Sequence, residues 1–425
     1  MGFCFIRMNI PELYELFQKH PEICTDSRKI VKGSIFFALK GENFNGNKFA
    51  EKAVNNGCAF AVIDEKKFSI NKNFILVEDV LQTLQELAKY HREQLTIPII
   101  AITGTNGKTT SKELISAVLS KELHVAATKG NLNNHIGVPL TLLSIKQKDE
   151  IAIIEMGANH EGEIDFLCDL AQPTFGVITN IGKAHLEGFG SFEGVIKAKS
   201  ELYNYIQKNV GKLFVNSEDE LLIELANNIS KITYGKSGDY IGAISESTPF
   251  ISVVFQDEGI KSKLIGDYQF YNIMLAICIG KHFEVSINNI KTAIENYTPI
   301  NNRSQIIETK NNALILDAYN ANPSSMSVML HSFAKQKCQN RLCILGDMLE
   351  LGKDAKKEHQ AIINLAEALK LECIFIGKEF AQVHKQAYTS TDEFAKVLKS
   401  NSIKNKTILL KGSRGIALEK LVDLL

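Results

Sequence analysis

The chain of 425 residues has no tryptophan, no C-x-x-C pair, no dense Lys/Arg run and no stretch approaching ~18 uninterrupted apolar residues. The missing apolar run excludes a membrane-spanning helix, and the N-terminal MGFCFIRMNIPELYELF lacks the charged-then-apolar order of a signal peptide. With 48 basic residues against 48 acidic ones, and no basic stripe, a protein that grips nucleic acid by its phosphates is not expected. The eight cysteines (Cys4, Cys24, Cys58, Cys168, Cys278, Cys338, Cys343, Cys373) are scattered, so reduced thiols in a cytoplasmic protein are expected rather than a metal or disulfide cluster. The absence of Trp carries no functional information. No internal repeat, low-complexity tract or long linker occurs.

What is present is a chain 45% hydrophobic and 23% charged, able to bury real cores. Its pattern predicts three α/β domains. Residues 1–97 read as a small mixed domain, with strands at SIFFAL (34–39), CAFAVI (58–63) and NFILVE (73–78). KFAEKAVNNG reads as a helix ended by Gly57, and Leu81, Leu84, Leu87, Ala88 and Leu95 share one face of a helix over about 80–95. Residues 98–298 alternate apolar strands (97–103, 151–156, 175–181, 211–216) with helix-like sequence, the mark of a mostly parallel sheet covered on both faces. KITYG (231–235) and FISVVFQ (250–256) read as an antiparallel addition, and a helical pair at about 269–297 closes the domain. Residues 299–425 begin with a hairpin around Asn311-Asn312 and continue as a Rossmann-like α/β domain through RLCILGD, ECIFIG and TILLKGS. The zero charge is a cancellation between these segments: 13 basic and 12 acidic residues, then 17 and 23, then 18 and 13.

The strongest chemical signal is GTNGKTT at 104–110, which follows an apolar strand and opens a helix with Leu114, Ile115, Val118 and Leu119 on one side. That context suits a phosphate-binding loop. Gly104 and Gly107 permit close backbone approach, the N–H groups of Thr105 and Asn106 contribute to an anion nest, and Lys108 reaches the β/γ-phosphates. Thr109 offers its hydroxyl to Mg²⁺, with Thr110 behind it. The strict G-x-x-x-x-G-K-[ST] pattern fails because Ile102 stands five residues before Gly107; the shorter spacing points to a distinct branch of phosphate-loop proteins, and a bland glycine turn is the competing reading. Glu155 ends the strand IAIIEM, where open α/β sheets bind ligands, and suits a hydrated Mg²⁺ unless it is merely solvated. By residue type alone His185 reads as structural and Lys199 as solvated. Asn272 lies on an otherwise apolar helix and needs partners for its amide. Arg303 stands at the entrance to the third domain, where a cation meets a γ-phosphate on closure, and Asp317 follows a strand at a position suited to ribose hydroxyls.

TGTNGKTT together with these segments resembles the Mur ligase family, the ATP-dependent amide-forming ligases of peptidoglycan precursor synthesis, over essentially the whole chain. The resemblance implies a cytoplasmic, monomeric enzyme using ATP and Mg²⁺, with Thr109, Glu155 and His185 as metal ligands and Lys199 open to carbamylation by CO₂. It also implies adenine contact by Asn272, and a place for Asn320 near the phosphates and the incoming amine. The NANP in DAYNANPSSM, which includes Asn322, points to the member that uses UDP-N-acetylmuramoyl-tripeptide and D-alanyl-D-alanine. DSRKI supplies Ser27 and Arg28 for the uridine diphosphate, although Asn45-Gly46-Asn47 departs from the family's usual Asp-Gly-His. GNLNNHIG supplies Asn131, Asn133 and Asn134 for the sugar diphosphate; GDMLELG (346–352) and KGSRG (411–415) match C-terminal signatures, with Lys411 and Arg414 as contacts. The implied chemistry is an acyl phosphate attacked by the amine beneath a closing third domain, with no covalent nucleophile on the protein. Another Mur ligase adding a single amino acid, a folylpolyglutamate-synthase-like ligase and a non-catalytic nucleotide-binding regulator remain open alternatives.

Overall fold

The computed structural model describes residues 8–300, 302–338 and 340–425; Cys4 lies outside them, and the other cysteines are free thiols. The chain folds into three α/β domains, each built on its own sheet.

The N-terminal domain is a four-stranded parallel sheet of Ile23–Cys24, Ile35–Phe37, Phe60–Ile63 and Phe74–Leu76. Helix Ile10–Lys19 opens it with a capping box between Asn9 and Glu12. Helix Val80–Glu93 buries Leu84, Leu87 and Ala88, and its Arg92 donates to the carbonyls of Ala171 and Gln172 at 2.8 and 3.0 Å, tying this domain to the next. The apolar core runs without a break from Leu13 and Phe17 to Ile99 and Ile154. Asn45 and Asn47 serve the fold. Asn47, fully buried, donates to Asp64 at 2.8 Å and accepts from the Asp64 and Glu65 backbones, while Asn45 donates to Glu65 at 2.7 Å. Gly46 between them lacks space for a side chain, since a Cβ would sit 2.4 Å from the Leu39 carbonyl.

The central sheet has nine strands, in the order Glu258–Lys261, Ser252–Phe255, Tyr240–Glu246, Lys231–Gly235, Lys212–Asn216, Phe175–Ile178, Ile99–Thr103, Ile151–Glu155, Val125–Ala127. Along Ile99–Thr103 the side chains alternate between two cores: Ile99 and Ala101 face the helices Glu163–Ala171 and Phe192–Lys208, whereas Ile100 and Ile102 face Lys108–Leu119 and Gln269–His282. Burial on both faces explains why this strand is apolar throughout. Lys231–Gly235 is parallel to its neighbours, correcting the antiparallel expectation for KITYG: helix Glu220–Leu225 provides a crossover from Lys212–Asn216. Antiparallel pairing begins only between Tyr240–Glu246 and Ser252–Phe255.

The C-terminal sheet has five strands, Gln305–Glu308, Ala313–Asp317, Thr407–Lys411, Arg341–Gly346 and Glu372–Ile376, all parallel except the first. Its core takes in Ile265 of the preceding domain, with Phe250 and Tyr268 packed against it. Among the described residues, no helix is long and apolar enough to cross a membrane.

Candidate active site

A cavity of about 1190 Å³ lies where the C-terminal ends of the central strands meet the C-terminal domain. The chain leaves Ile99–Thr103 for Val125–Ala127 on one side and leaves the adjacent Phe175–Ile178 for Lys212–Asn216 on the other, and this reversal is the switch point at which open α/β sheets hold ligands. Gly104 takes φ 140° and Gly107 φ 80°; a Cβ on Gly104 would stand 2.0 Å from the Thr179 hydroxyl. The loop is strapped to the adjacent strand end. Thr105 N–H donates to the Asn180 carbonyl at 2.9 Å and Asn106 N–H to Asn180 Oδ1 at 3.0 Å; Thr179 Oγ1 and Asn180 Nδ2 both donate to the Asn106 carbonyl. Thr179 and Asn180 were not anticipated. Their signal is the polar pair ending the apolar run FGVIT next to the loop strand.

Lys108 bends over the loop and donates to the carbonyls of Gly104 and Thr105 at 2.6 and 3.2 Å. Burial pushes its ammonium below the ordinary lysine range, Glu155 opposing and Arg303 adding to the shift. Thr109 Oγ1 and Asn133 Nδ2 donate to Glu155 Oε1 at 3.2 and 2.9 Å. Glu155 Oε2 is buried with no hydrogen-bond partner among the described residues, and Lys112 stands 4.0 Å away. A free carboxylate oxygen beside the threonine hydroxyl that follows the loop lysine fits a hydrated Mg²⁺. Among the described residues no three His, Cys, Asp or Glu side chains converge as a metal cluster; the expected set contains only two of those types, Glu155 and His185.

Lys199 is buried on helix Phe192–Lys208, its ammonium 5.6 Å from the centre of the Phe189 ring. Burial first, and the charge of Lys108 next, push its pKa down to about 7. His185 lines the cavity, but its Nδ1 lies 2.5 Å from Glu350 of the C-terminal domain. Asn272 accepts from Ser111 at 3.0 Å and donates to Gln269 at 2.7 Å, with its Oδ1 close under Gly107. Thr110, Asn131 and Asn134 also line the cavity, Asn134 Oδ1 accepting from the Ile136 and Gly137 N–H groups just ahead of helix Gly137–Leu143.

From the C-terminal side, Arg303 stacks on the Tyr319 ring at 3.7 Å, with Arg414 at 5.5 Å from the same ring. Asp317 accepts from Lys411 at 2.5 Å and from the Ser304 N–H at 3.2 Å, so its carboxylate is already paired. Asn320 is exposed to the cavity and accepts from the Ala321 N–H. Asn322 caps helix Pro323–Lys335 and donates across the domain boundary to Asn106 at 2.8 Å. Lys183 bridges the same boundary, its N–H on Ser324 at 3.2 Å and its ammonium on Glu358 at 3.1 Å. Ser27 and Arg28 are not brought to this cavity. Arg28 is exposed and forks onto its neighbour Asp26 at 2.8 and 2.9 Å, which holds that carboxyl down at about 2.

A strapped glycine loop with a lysine, a carboxylate free to hold Mg²⁺ and a third domain bearing arginines over the cavity define a phosphate-loop ligase of the three-domain type. Residues 21–92, 102–280 and 302–414 match the Mur ligase family's catalytic domain, middle domain and glutamate ligase domain. The chain belongs to the Mur ligase family, whose members use ATP and Mg²⁺. It is 34% identical over 423 residues to the UDP-N-acetylmuramoyl-tripeptide--D-alanyl-D-alanine ligase of Bacillus subtilis, covering 94% of this chain and 92% of the relative. The crystal structure of MurF from Acinetobacter baumannii superposes with a TM-score of 0.85 at 30% identity, covering 99% of both chains. MurF ligase from Thermotoga maritima, solved in complex with ADP, gives 0.82 at 25% identity, covering 96% of this chain and 97% of that one.

Proposed function

We propose that this protein joins D-alanyl-D-alanine to UDP-N-acetylmuramoyl-tripeptide, converting ATP to ADP and phosphate. The observation that carries the reading is the Asn106 to Asn322 contact at 2.8 Å, which brings the phosphate loop against the NANP segment so that activated carboxylate and incoming amine share one chamber. ATP and UDP-linked substrates assign the reaction to the cytoplasm.

Lys108 leaves its carbonyl partners and pairs with the β/γ-phosphates. Because the Thr105 and Asn106 N–H groups are bound to Asn180, contrary to the nest expected of them, the N–H groups at the start of helix Lys108–Leu119 hold the oxygens in line for attack by the tripeptide's terminal carboxylate. Glu155, Thr109 and His185 would hold Mg²⁺, and Lys199, which burial favours as the neutral amine, would form an N–C bond to CO₂ and release a proton to solvent, becoming a carbamate anion that supports them. The chemistry supplied by bound Mg²⁺ is neutralisation of charge on the transferred phosphoryl group. Arg303 meets the γ-phosphate, Asn272 contacts adenine, and Asp317, with Lys411 beside it, faces the ribose from the closing domain. Asn320 orients the dipeptide amine for attack on the acyl phosphate, and the docked C-terminal domain excludes water from that intermediate. Residues 1–97 hold the uridine diphosphate through Ser27 and Arg28, Asn131, Asn133 and Asn134 guide the sugar diphosphate, and residues 98–298 and 299–425 hold ATP and the dipeptide between them, with Asn322 and Arg414 on the dipeptide side.

Coupled ADP release measured with UDP-N-acetylmuramoyl-tripeptide tests this. Turnover should require D-alanyl-D-alanine and fail with lysine or meso-diaminopimelate. ATP binding without substrate-dependent ADP release would instead mark a regulator.

A further inference from the structure

Glu350, in the GDMLELG segment, takes no part in the reaction as proposed, yet the fold fixes it from three sides. Asp347 accepts the N–H groups of Glu379 and Phe380 at 2.9 Å, Met348 N–H donates to His359 at 3.1 Å, and Leu349 N–H donates to Ser413 Oγ at 3.0 Å. Held on this ledge, Glu350 adopts φ 65° and reaches over the domain boundary to His185, which itself adopts φ 51°. Left-handed backbone at non-glycine residues is uncommon and persists where the surroundings over-determine it; here two such residues touch through their side chains. The His185 loop is gripped from the same side, Glu187 N–H donating to the Glu350 carbonyl at 3.4 Å and the Glu187 side chain packing against Gly352.

The geometry points to Glu350 as a positioning residue that acts through His185, an assignment that rests on the metal reading above. A carboxylate on Nδ1 fixes the tautomer and rotation of the ring and leaves Nε2 as the lone-pair nitrogen, the arrangement that makes a histidine a good metal ligand. The carboxylate comes from the C-terminal domain, so the ligand is complete only when that domain is docked. Divalent-cation affinity and domain closure therefore reinforce each other.

The test is a titration of the full chain with Mn²⁺, followed by electron paramagnetic resonance in the presence of ADP. Glu350→Gln should weaken Mn²⁺ binding by about 10-fold. Glu358→Gln, which removes the neighbouring interdomain pair with Lys183 without touching His185, should weaken it much less, through looser docking alone. In a His185→Ala background, Glu350→Gln should have no further effect. Equal weakening by Glu350→Gln and Glu358→Gln would reduce Glu350 to one clasp among several and overturn the proposal. A weakened His185→Ala with an unaffected Glu350→Gln would overturn it while sparing the metal reading; an unaffected His185→Ala would remove both.

Discussion

On the central wall of the cavity, seven consecutive residues from Gly104 to Thr110 form the glycine loop and the start of its helix, and the neighbouring strand end straps the loop in place. On the facing wall, Arg303, Asp317, Asn322 and Lys411 arrive from three segments and each is held chiefly by one partner: Lys411 and Asp317 by one another, Arg303 by Tyr319, Asn322 by its own helix. The first wall is rigid because its backbone is over-bonded. The second is held chiefly through single partners, one of them the Lys411–Asp317 charge pair, so it is sensitive to removal of either partner.

Four measurements would break or sharpen that contrast. Removing the single cation of the rigid loop should do the most damage: Lys108→Ala should lower ligation on the order of 10³-fold with the fold intact, and near-normal turnover would sink the phosphate-loop assignment. On the paired wall the damage should appear in stability. Asp317→Ala leaves Lys411, 2% exposed, as an uncompensated charge, which should cost about 3–5 kcal/mol in urea unfolding, and adding Lys411→Met should restore most of it.

Lys199 belongs to neither pattern, being a buried cation with its pKa down at about 7. Its folded value lies below its unfolded one, so the unfolded chain binds more protons between pH ~7 and ~10.5, and stability rises with pH in that window. Lys199→Met should therefore stabilise the CO₂-free protein most below pH 7. The advantage should fade by on the order of 1 kcal/mol per pH unit on going up, and a pH-independent difference would contradict the shift. The smallest effect concerns the walls as charged bodies. Residues 98–298 carry 17 basic and 23 acidic groups against 18 and 13 in 299–425, so docking of the two domains should loosen modestly as salt is raised. Scattering profiles unchanged between low and high salt would reject that attraction.

The same contrast explains what could be read from the chain. GTNGKTT was legible because strand, loop and helix start are contiguous, and the apolar strands because burial on both faces leaves an unbroken run. The orientation of Lys231–Gly235 was not, since it depends on the crossover helix Glu220–Leu225. Strand Val125–Ala127 is too short to show a period, whereas helix Ile10–Lys19 carried a visible capping signal in Asn9, Pro11 and Glu12 that went unread. Residues that line the cavity can be named one by one from their own segments; their partners cannot. Asn106 with Asn322, Asp317 with Lys411 and His185 with Glu350 join residues far apart in sequence, where no local pattern links them.

The boundary between the two walls is unequal along its length. At one side Ile265 is buried in the C-terminal core with Phe250 and Tyr268 against it, while at the other Asn106, Lys183 and His185 meet the C-terminal domain through polar atoms. Parting the apolar side costs about 25 cal/mol for every Å² uncovered, whereas each polar contact exchanges with water for only about 0.5–1.5 kcal/mol. In mechanical terms the boundary pairs an axle with a jaw: it parts least readily at Ile265 and most readily at Asn106, Lys183 and His185.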